Sequence, residues 1–483
     1  MLKGQPFLRA RRDDPLLVFG SLLLLCILLS LSLVNQNYYL LFGIFATVLA
    51  VLLLKANLLP VAVILLIIPF ADWAVEYKYL PFQVMWVPEL LAGLLFIKSL
   101  ARKALEKQAY ASPGLPFVLV FFLLSFLSLF INGSPIIPAL LMLRLLFRYY
   151  LLFLAIINLG FDEKSQKLII NILIFIFLVQ LPLSVAKLFV YGQGETSLGL
   201  SSHSVSTIFP LVAIGFLYSY YLLYQRKIAY ILGIFGFVGF SIVGGKRAFI
   251  FFLPVLLIYL TWILKERILR NLRLVFLGIL IFFVSLYFVA RLIPTLNPQR
   301  EVWGEFNLRH IVDYAISYET NVSMTGAPTG RISASLEVFR ALGRKGLPGR
   351  AFGYGPGSII KSMFGGYDKR QTIRSRFGVV YGMNGLSWLG VQVGYFGTII
   401  YFLIYYCLLR KCHSYYKKEK DPFWRSFALG MTGFSFILLF TSLIYTPFFN
   451  DDSVAAFYFC LAAIVIIRST GFQPNNQTGI VQA

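Results

Sequence analysis

The sequence predicts an all-α fold: a polytopic transmembrane helical bundle with a partly helical extracytoplasmic loop domain. Three observations carry this. Of the 483 residues, 59% are hydrophobic and only 13% charged, where a soluble domain carries about a quarter charged residues. Apolar runs of about twenty residues, the length a helix needs to cross the hydrocarbon core, recur along the chain and raise its mean hydropathy to +0.78. Basic clusters close many of these runs, as in the cytoplasmic loops of membrane proteins. Together these exclude a soluble enzyme with one buried core, a secreted disulfide scaffold and a disordered chain. The net charge of +23 is read as topology and not as nucleic-acid binding.

The apolar runs define fourteen candidate spans: 15–34, 38–54, 58–71, 82–98, 115–131, 136–158, 168–190, 204–224, 228–243, 248–264, 274–293, 384–409, 426–444 and 453–468. The first lacks a small-residue cleavage site and reads as a retained span. Runs 58–71, 228–243 and 248–264 are the shortest against the required length, so the count is 12–14. Fourteen is preferred because the basic clusters then alternate without a break. Placing the N-terminus inside collects Lys3, Arg9, Arg11 and Arg12 on the cytoplasmic side. Lys98–Lys107, Arg226–Lys227, Lys265–Arg273 and Arg410–Arg425 join them there. Both termini are then cytoplasmic, and the chain is expected to sit in the cell inner (cytoplasmic) membrane. Cys26, Cys407, Cys412 and Cys460 fall in spans or on the cytoplasmic side, where no disulfide is expected.

Four parts follow: spans one to eleven (1–293), a large extracytoplasmic loop (294–383), spans twelve to fourteen (384–468) and a short cytoplasmic tail (469–483). The loop holds twelve Lys or Arg against six Asp or Glu, which does not oppose the orientation because long loops cross largely regardless of charge. A loop of this length inside a tight bundle is expected to be functional. Within it, 330–342 sets Ile332, Leu336, Phe339 and Leu342 at helical spacing. This predicts a short amphipathic helix, opened by Arg331, that rests on the membrane surface with its arginines toward lipid phosphates. The glycines and proline from Gly349 to Ser358 predict a tight turn in place of a regular element, with backbone amides available to an anion.

Three blocks, 244–248, 330–331 with 353–357, and 384–389 with 394–397, resemble in that order the bacterial O-antigen polymerase and ligase superfamily, membrane glycosyltransferases that use undecaprenyl-diphosphate-linked glycans. The first is Gly244-Gly245-Lys246-Arg247-Ala248. The second is Gly330-Arg331, an apolar helix, then Gly353-Tyr354-Gly355-Pro356-Gly357. The third is Asn384-Gly385-Leu386-Ser387-Trp388-Leu389, running to Gly394-Tyr395-Phe396-Gly397. The blocks cover roughly residues 200 to 410. In the family's register a histidine associated with the ligase branch falls on Met383, and an acidic position falls on Gln392. The resemblance therefore implies a polysaccharide polymerase at the outer face. It would move a glycan from undecaprenyl diphosphate onto a lipid-linked repeat unit, with no metal, no cofactor and no nucleic acid. Its implied partners are the undecaprenyl-diphosphate-linked oligosaccharide, membrane lipid and other polysaccharide export or chain-length proteins. The alternatives are a ligase that passes the glycan to an acceptor such as lipid A core, and a flippase for lipid-linked oligosaccharides. A flippase predicts paired halves and short loops, and the sequence shows no internal repeat.

Transfer from a lipid diphosphate builds negative charge on the departing group, and fixed arginines that grip phosphate in two places stabilise it. Arg247 and Arg331 are the candidates for that role. His310 and Asp313 are the candidates to take the acceptor's proton, with Glu319, Glu337, Asp368, Asp451 and Asp452 as alternatives. Candidates for binding substrate are Arg144, Arg148, Lys187, Lys246, Arg340, Arg350, Tyr354 and Asn384. Arg144 and Arg148 lie four apart in one span and share a face, and charges inside a span normally meet a cavity or a partner. Glu89 and Lys187 are expected at comparable depth. One reading pairs Glu89 with an arginine; even so, one glutamate does not neutralise two arginines and a lysine, which leaves positive charge for a ligand. The aromatic residues Trp303, Phe306, Tyr314, Tyr318, Phe352, Tyr354 and Tyr381 are candidates to stack on sugar rings.

Overall fold

A computed structural model describes residues 56–76, 79–191, 199, 207–244, 247–264, 330–359 and 383–470, together with 283–291 and 296–320 apart from 285, 289 and 302. The expected spans 15–34 and 38–54, most of 274–293, Lys246, Asp368, Tyr381 and the side chain of Arg247 lie outside the described residues.

The described chain is helical, and no strand occurs among its residues. In order it forms α1 (Leu58–Glu76), α2 (Trp86–Leu105), α3 (Leu115–Asn132), α4 (Ile136–Leu159) and α5 (Glu163–Tyr191). Then come α6 (Ile208–Leu223), α7 (Ile228–Val243) and α8 (Arg247–Ile263). Three helices form part of the long loop: α9 (Leu308–Thr320), α10 (Arg331–Arg344) and α11 (Gly346–Phe352). The chain closes with α12 (Gly385–Lys418), α13 (Pro422–Ile444) and α14 (Asp452–Ser469). Eight of these are long and apolar enough to cross a membrane, so this is a multi-pass membrane protein. The shorter apolar helices α6, α7 and α8 pack beside them.

α14 lies at the centre, against α1, α4, α12 and α13. Apolar residues surround it on every side, as they must in a helix with protein on all faces. Its ring face joins Tyr405 to Tyr458 and Tyr150 to Phe459, at centroid distances of 5.3 and 6.0 Å. Asp451 caps its first turn by accepting from the Ser453 and Val454 amides, and Asp421 caps α13 through Phe423 and Trp424 in the same way.

One end of the bundle is basic. Arg102 donates to the Leu159 carbonyl at 2.7 Å, and Arg468 pairs with Glu163 at 3.0 Å. The α12–α13 hairpin adds Arg410 to Arg425 at the same end.

The far end departs from a set of straight spans. The sequence predicts a single span over 384–409, but α12 is two limbs joined at Gly394, whose backbone (φ 68°, ψ −172°) is not helical. Phe449 shows how sharply the chain turns. A Cβ at Gly385 would lie 2.8 Å from its ring, and the Tyr401 ring centroid is 5.0 Å away. A straight helix would separate residues 385 and 401 by about 24 Å. The first limb, Gly385–Val393, therefore rises toward the far end, reverses at Gly394 and returns as a full span. α10 climbs beside this limb: Ser387 Oγ bonds Ser335 Oγ at 2.7 Å, and Leu342 packs on Gly390 and Val391.

The reversal is held by the glycine-rich turn. Tyr354 donates its amide to the Val391 carbonyl at 2.7 Å, and the Gly357 amide donates to Gln392 Oε1 at 3.1 Å. Gly353, Gly355, Gly357 and Gly394 all have positive φ, and a methyl group at Gly394 would collide with the Ala351 carbonyl. The turn is shorter than its composition suggests. Gly349 to Phe352 belong to α11, because Pro348 sits in that helix's first turn, where no amide is needed.

Candidate functional site

Arg148 occupies the middle of α4, about 18 Å along the helix from Ile136 and about 17 Å from Leu159 at 1.5 Å per residue. Its guanidinium binds Glu89 Oε1 at 2.7 Å, Asp452 and the Asn450 carbonyl at 3.1 Å. Arg144, one turn away, binds the other oxygen of Glu89 at 2.5 Å and lies over the Trp86 ring. Glu89 thus holds both arginines. Asp452, brought in by the start of α14, joins Glu89 and makes two carboxylates for two guanidiniums, so the positive charge in excess of them is that of Lys187. The remaining cation, Lys187, donates to the Gly199 carbonyl at 2.5 Å and lies 5.1 Å from the centre of the Trp73 ring.

Directly beyond this network the chain from Tyr445 to Asp452 crosses between α13 and α14. Three helix N-termini converge on it. α14 begins at Asp452 itself. The first limb of α12 begins with Gly385 against the Ser442 carbonyl and Phe449. α10 begins with Arg331, whose Nε donates to the Tyr445 carbonyl at 3.0 Å and whose guanidinium stacks on the Tyr445 ring at 3.8 Å. Helix N-termini carry a partial positive charge; at α14 Asp451 already takes the Ser453 and Val454 amides and at α12 Asn384 takes that of Ser387, whereas the first turn of α10 has no side-chain cap. Irregular backbone inside a membrane bundle is tolerated where it is buried in protein or lines a polar cavity. Around this segment Arg148 Nε, Ser442 Oγ, Asn450 Oδ1 and Ser453 Oγ are buried without a hydrogen-bond partner. Such atoms are costly inside protein unless a polar partner meets them.

Arg331 also pairs with Glu319 at 2.9 Å, and both side chains remain partly exposed. Glu319 is in the last turn of α9, so this helix brings its C-terminal end, and not its start, to the site. His310 lies about 14 Å back along α9 and Asp313 about 9 Å. Asp313 is exposed beside Arg309. Of the two residues singled out for proton transfer, neither reaches Arg331; Glu319, one of the alternatives, does. Periodicity gave no sign of which end of α9 would dock.

The other candidates are placed as follows. Asn384 caps the first limb of α12, accepting from the Ser387 amide at 2.9 Å and the Ser387 hydroxyl at 2.8 Å. Tyr354 donates its hydroxyl to the Ala341 carbonyl, and its ring lies under Lys345, whose pKa is lowered by burial. The amides of Gly353, Tyr354, Gly357 and Ser358 are all taken by protein acceptors, so the turn is a clasp for α12 and offers none of these to an anion. Arg340 and Arg344 are exposed beside Glu337, and Arg350 is exposed on α11. Arg247 starts α8. On α10 the buried face is Ala334, Ser335, Val338, Ala341 and Leu342. Ile332, Leu336 and Phe339 are exposed, because small residues allow the closer approach to α12. Among the described residues no group of His, Cys, Asp and Glu is arranged to hold a metal ion.

Tyr445, Ser442 and Asn450 were not legible as site residues. No motif marks them, and they meet Arg331, Gly385 and Arg148 only through the fold. No protein-family model matches this chain, and no curated protein matches it.

Proposed function

We propose that the chain is a membrane glycosyltransferase of the O-antigen or exopolysaccharide polymerase kind, working at the end opposite the basic one. On this reading the basic end faces the cytoplasm. The observation that carries the proposal is the convergence of three helix N-termini and Arg331 on the Tyr445–Asp452 segment. A diphosphate bound there meets the uncapped first turn of α10 and a guanidinium already stacked in place. Arg144 and Arg148, neutralised by Glu89 and Asp452, hold the floor of the site in position.

The reaction follows from the Arg331–Glu319 pair. The lipid diphosphate takes Arg331 and displaces Glu319 from it. The freed carboxylate then accepts the proton of the attacking hydroxyl on the acceptor sugar. The new glycosidic C–O bond forms as the bond to diphosphate breaks, and the charge that develops on the leaving oxygen falls on Arg331 and the helix ends. Binding that grows with this charge speeds the step. Met383, where the related ligases carry a histidine, favours elongation of a repeat unit over transfer to a different acceptor.

Purified chain in nanodiscs, supplied with native undecaprenyl-diphosphate repeat units, tests this. A ladder of repeat multiples that Arg331→Ala abolishes while the protein stays folded supports the polymerase. Single transfer to added lipid A core without a ladder identifies a ligase. Lipid translocation in liposomes with no transfer identifies a transporter.

A further inference from the structure

The basic end carries a second candidate site that the proposed reaction does not use. On α12, Tyr406, Arg410, His413 and Lys417 recur at intervals of four, three and four residues, which puts them on one face. Tyr406, Arg410 and Lys417 are exposed. The face thus runs from an aromatic ring inside the span to cations at its end, the pattern of a surface that meets a lipid from tail to headgroup. Arg425, from the first turns of α13, reaches over the Tyr416 ring at 5.2 Å, and His413 lies on the same ring at 6.2 Å.

Two features separate this cluster from an ordinary solvated basic loop. His413 Nδ1 and Arg425 Nε are buried and have no hydrogen-bond partner. The carboxylates of the hairpin are also committed elsewhere. Glu419 accepts from Tyr415 and from the Lys420 and Asp421 amides, and Asp421 accepts from the Phe423 and Trp424 amides. Arg410, Lys417 and Arg425 therefore have no ion-pair partner among the described residues.

We infer that Arg410, His413, Lys417 and Arg425 bind the phosphate of an anionic phospholipid headgroup in the leaflet at the basic end. Arg425 is pre-oriented on Tyr416, and the acyl chain lies along Tyr406. Planar guanidinium recognition and a polybasic helix end favour a phosphodiester, and position in the bundle favours a lipid as its source.

The test is native mass spectrometry of the full chain, delipidated in detergent and titrated with phosphatidylglycerol, phosphatidylcholine or inorganic phosphate. Variants are Arg425→Gln and the double variant Arg410→Gln/Lys417→Gln, whose exposed positions spare the fold, with Arg309→Gln, exposed on α9 beside Asp313, as control. The expected result is retention of phosphatidylglycerol over phosphatidylcholine. Arg425→Gln should weaken it about tenfold, the effect of losing one charge-assisted hydrogen bond, and the double variant, which removes two cations, by more, while the control leaves it unchanged. Equal retention of both lipids, or no change in the variants, overturns the assignment. Displacement of the lipid by millimolar inorganic phosphate overturns the lipid as ligand and leaves a soluble phosphate site.

Discussion

Arg148 and Arg331 place the same guanidinium in two different settings only a few residues of backbone apart. Arg148 is almost wholly enclosed, with Glu89, Asp452 and the Asn450 carbonyl around it. Arg331 meets the Glu319 carboxylate, the Tyr445 carbonyl and the Tyr445 ring, and it remains partly open. The first is an ion network whose charge is already spent and whose removal would leave bare charges in a dry interior. The second is a cation held in position by groups that a stronger anion can replace. On the proposed reading, one chemical group serves as framework where the fold encloses it and as binder where it stays partly open.

The comparison is broken most severely from the framework side. Arg148→Met should strand Asp452, leave Glu89 with Arg144 alone and cost about 3–5 kcal/mol, read as lost thermal stability in detergent. Restoring balance with Asp452→Asn in the same chain, which leaves Glu89 paired with Arg144, should recover part of that loss. If Arg148→Met melts like the parent, the network is not structural.

Gly394→Ala should cost about 3 kcal/mol, because the residue needs both a positive φ and room beside the Ala351 carbonyl. Size-exclusion profiles and melting temperature check it. Arg331→Lys and Glu319→Gln should leave melting nearly unchanged and lower polymer formation at least about tenfold. They are expected to differ in kind: Arg331→Lys weakens donor binding, whereas Glu319→Gln retains or tightens it and loses the transfer step. A shared loss of binding in both would refute the exchange of partners.

Asn384→Ala should cost about 1 kcal/mol as a lost helix cap. Arg340→Gln, exposed and only loosely paired with Glu337, should stay within about 0.5 kcal/mol of the parent.

Much of the helical framework was legible because a bilayer leaves few alternatives. Long apolar runs must be helices, and 115–131, 136–158, 426–444 and 453–468 became helices with nearly those bounds. Arg144, Arg148 and Glu89 were legible as neighbours because charges inside spans seek partners. Asp452 was not assigned to that network, since its role depends on how deep the α13–α14 connection sits, and hydropathy does not report depth. The reversal at Gly394 was hidden for a related reason. A Gly-Tyr-Phe-Gly stretch within an apolar run reads like a close helix contact, and only the clasp from Gly353–Gly357 shows that the chain turns there. Glu319 over His310 was a question of which end of α9 docks, and spacing within a helix does not answer it.

The reversal at Gly394 also fixes an order of assembly. The first limb of α12, only nine residues long, does not cross a bilayer and has no place as a free helix in lipid. Its neighbours are Ser442 and Phe449, which are synthesised after it, and the turn at Gly353–Gly357, which is synthesised before it. The limb therefore cannot complete its contacts until residues as late as Phe449 have been synthesised, nearly a hundred residues after the turn. Arg331, Asn384 and Tyr445 come together only through segments on both sides of the limb in sequence, so a chain cut short before Phe449 lacks that meeting point.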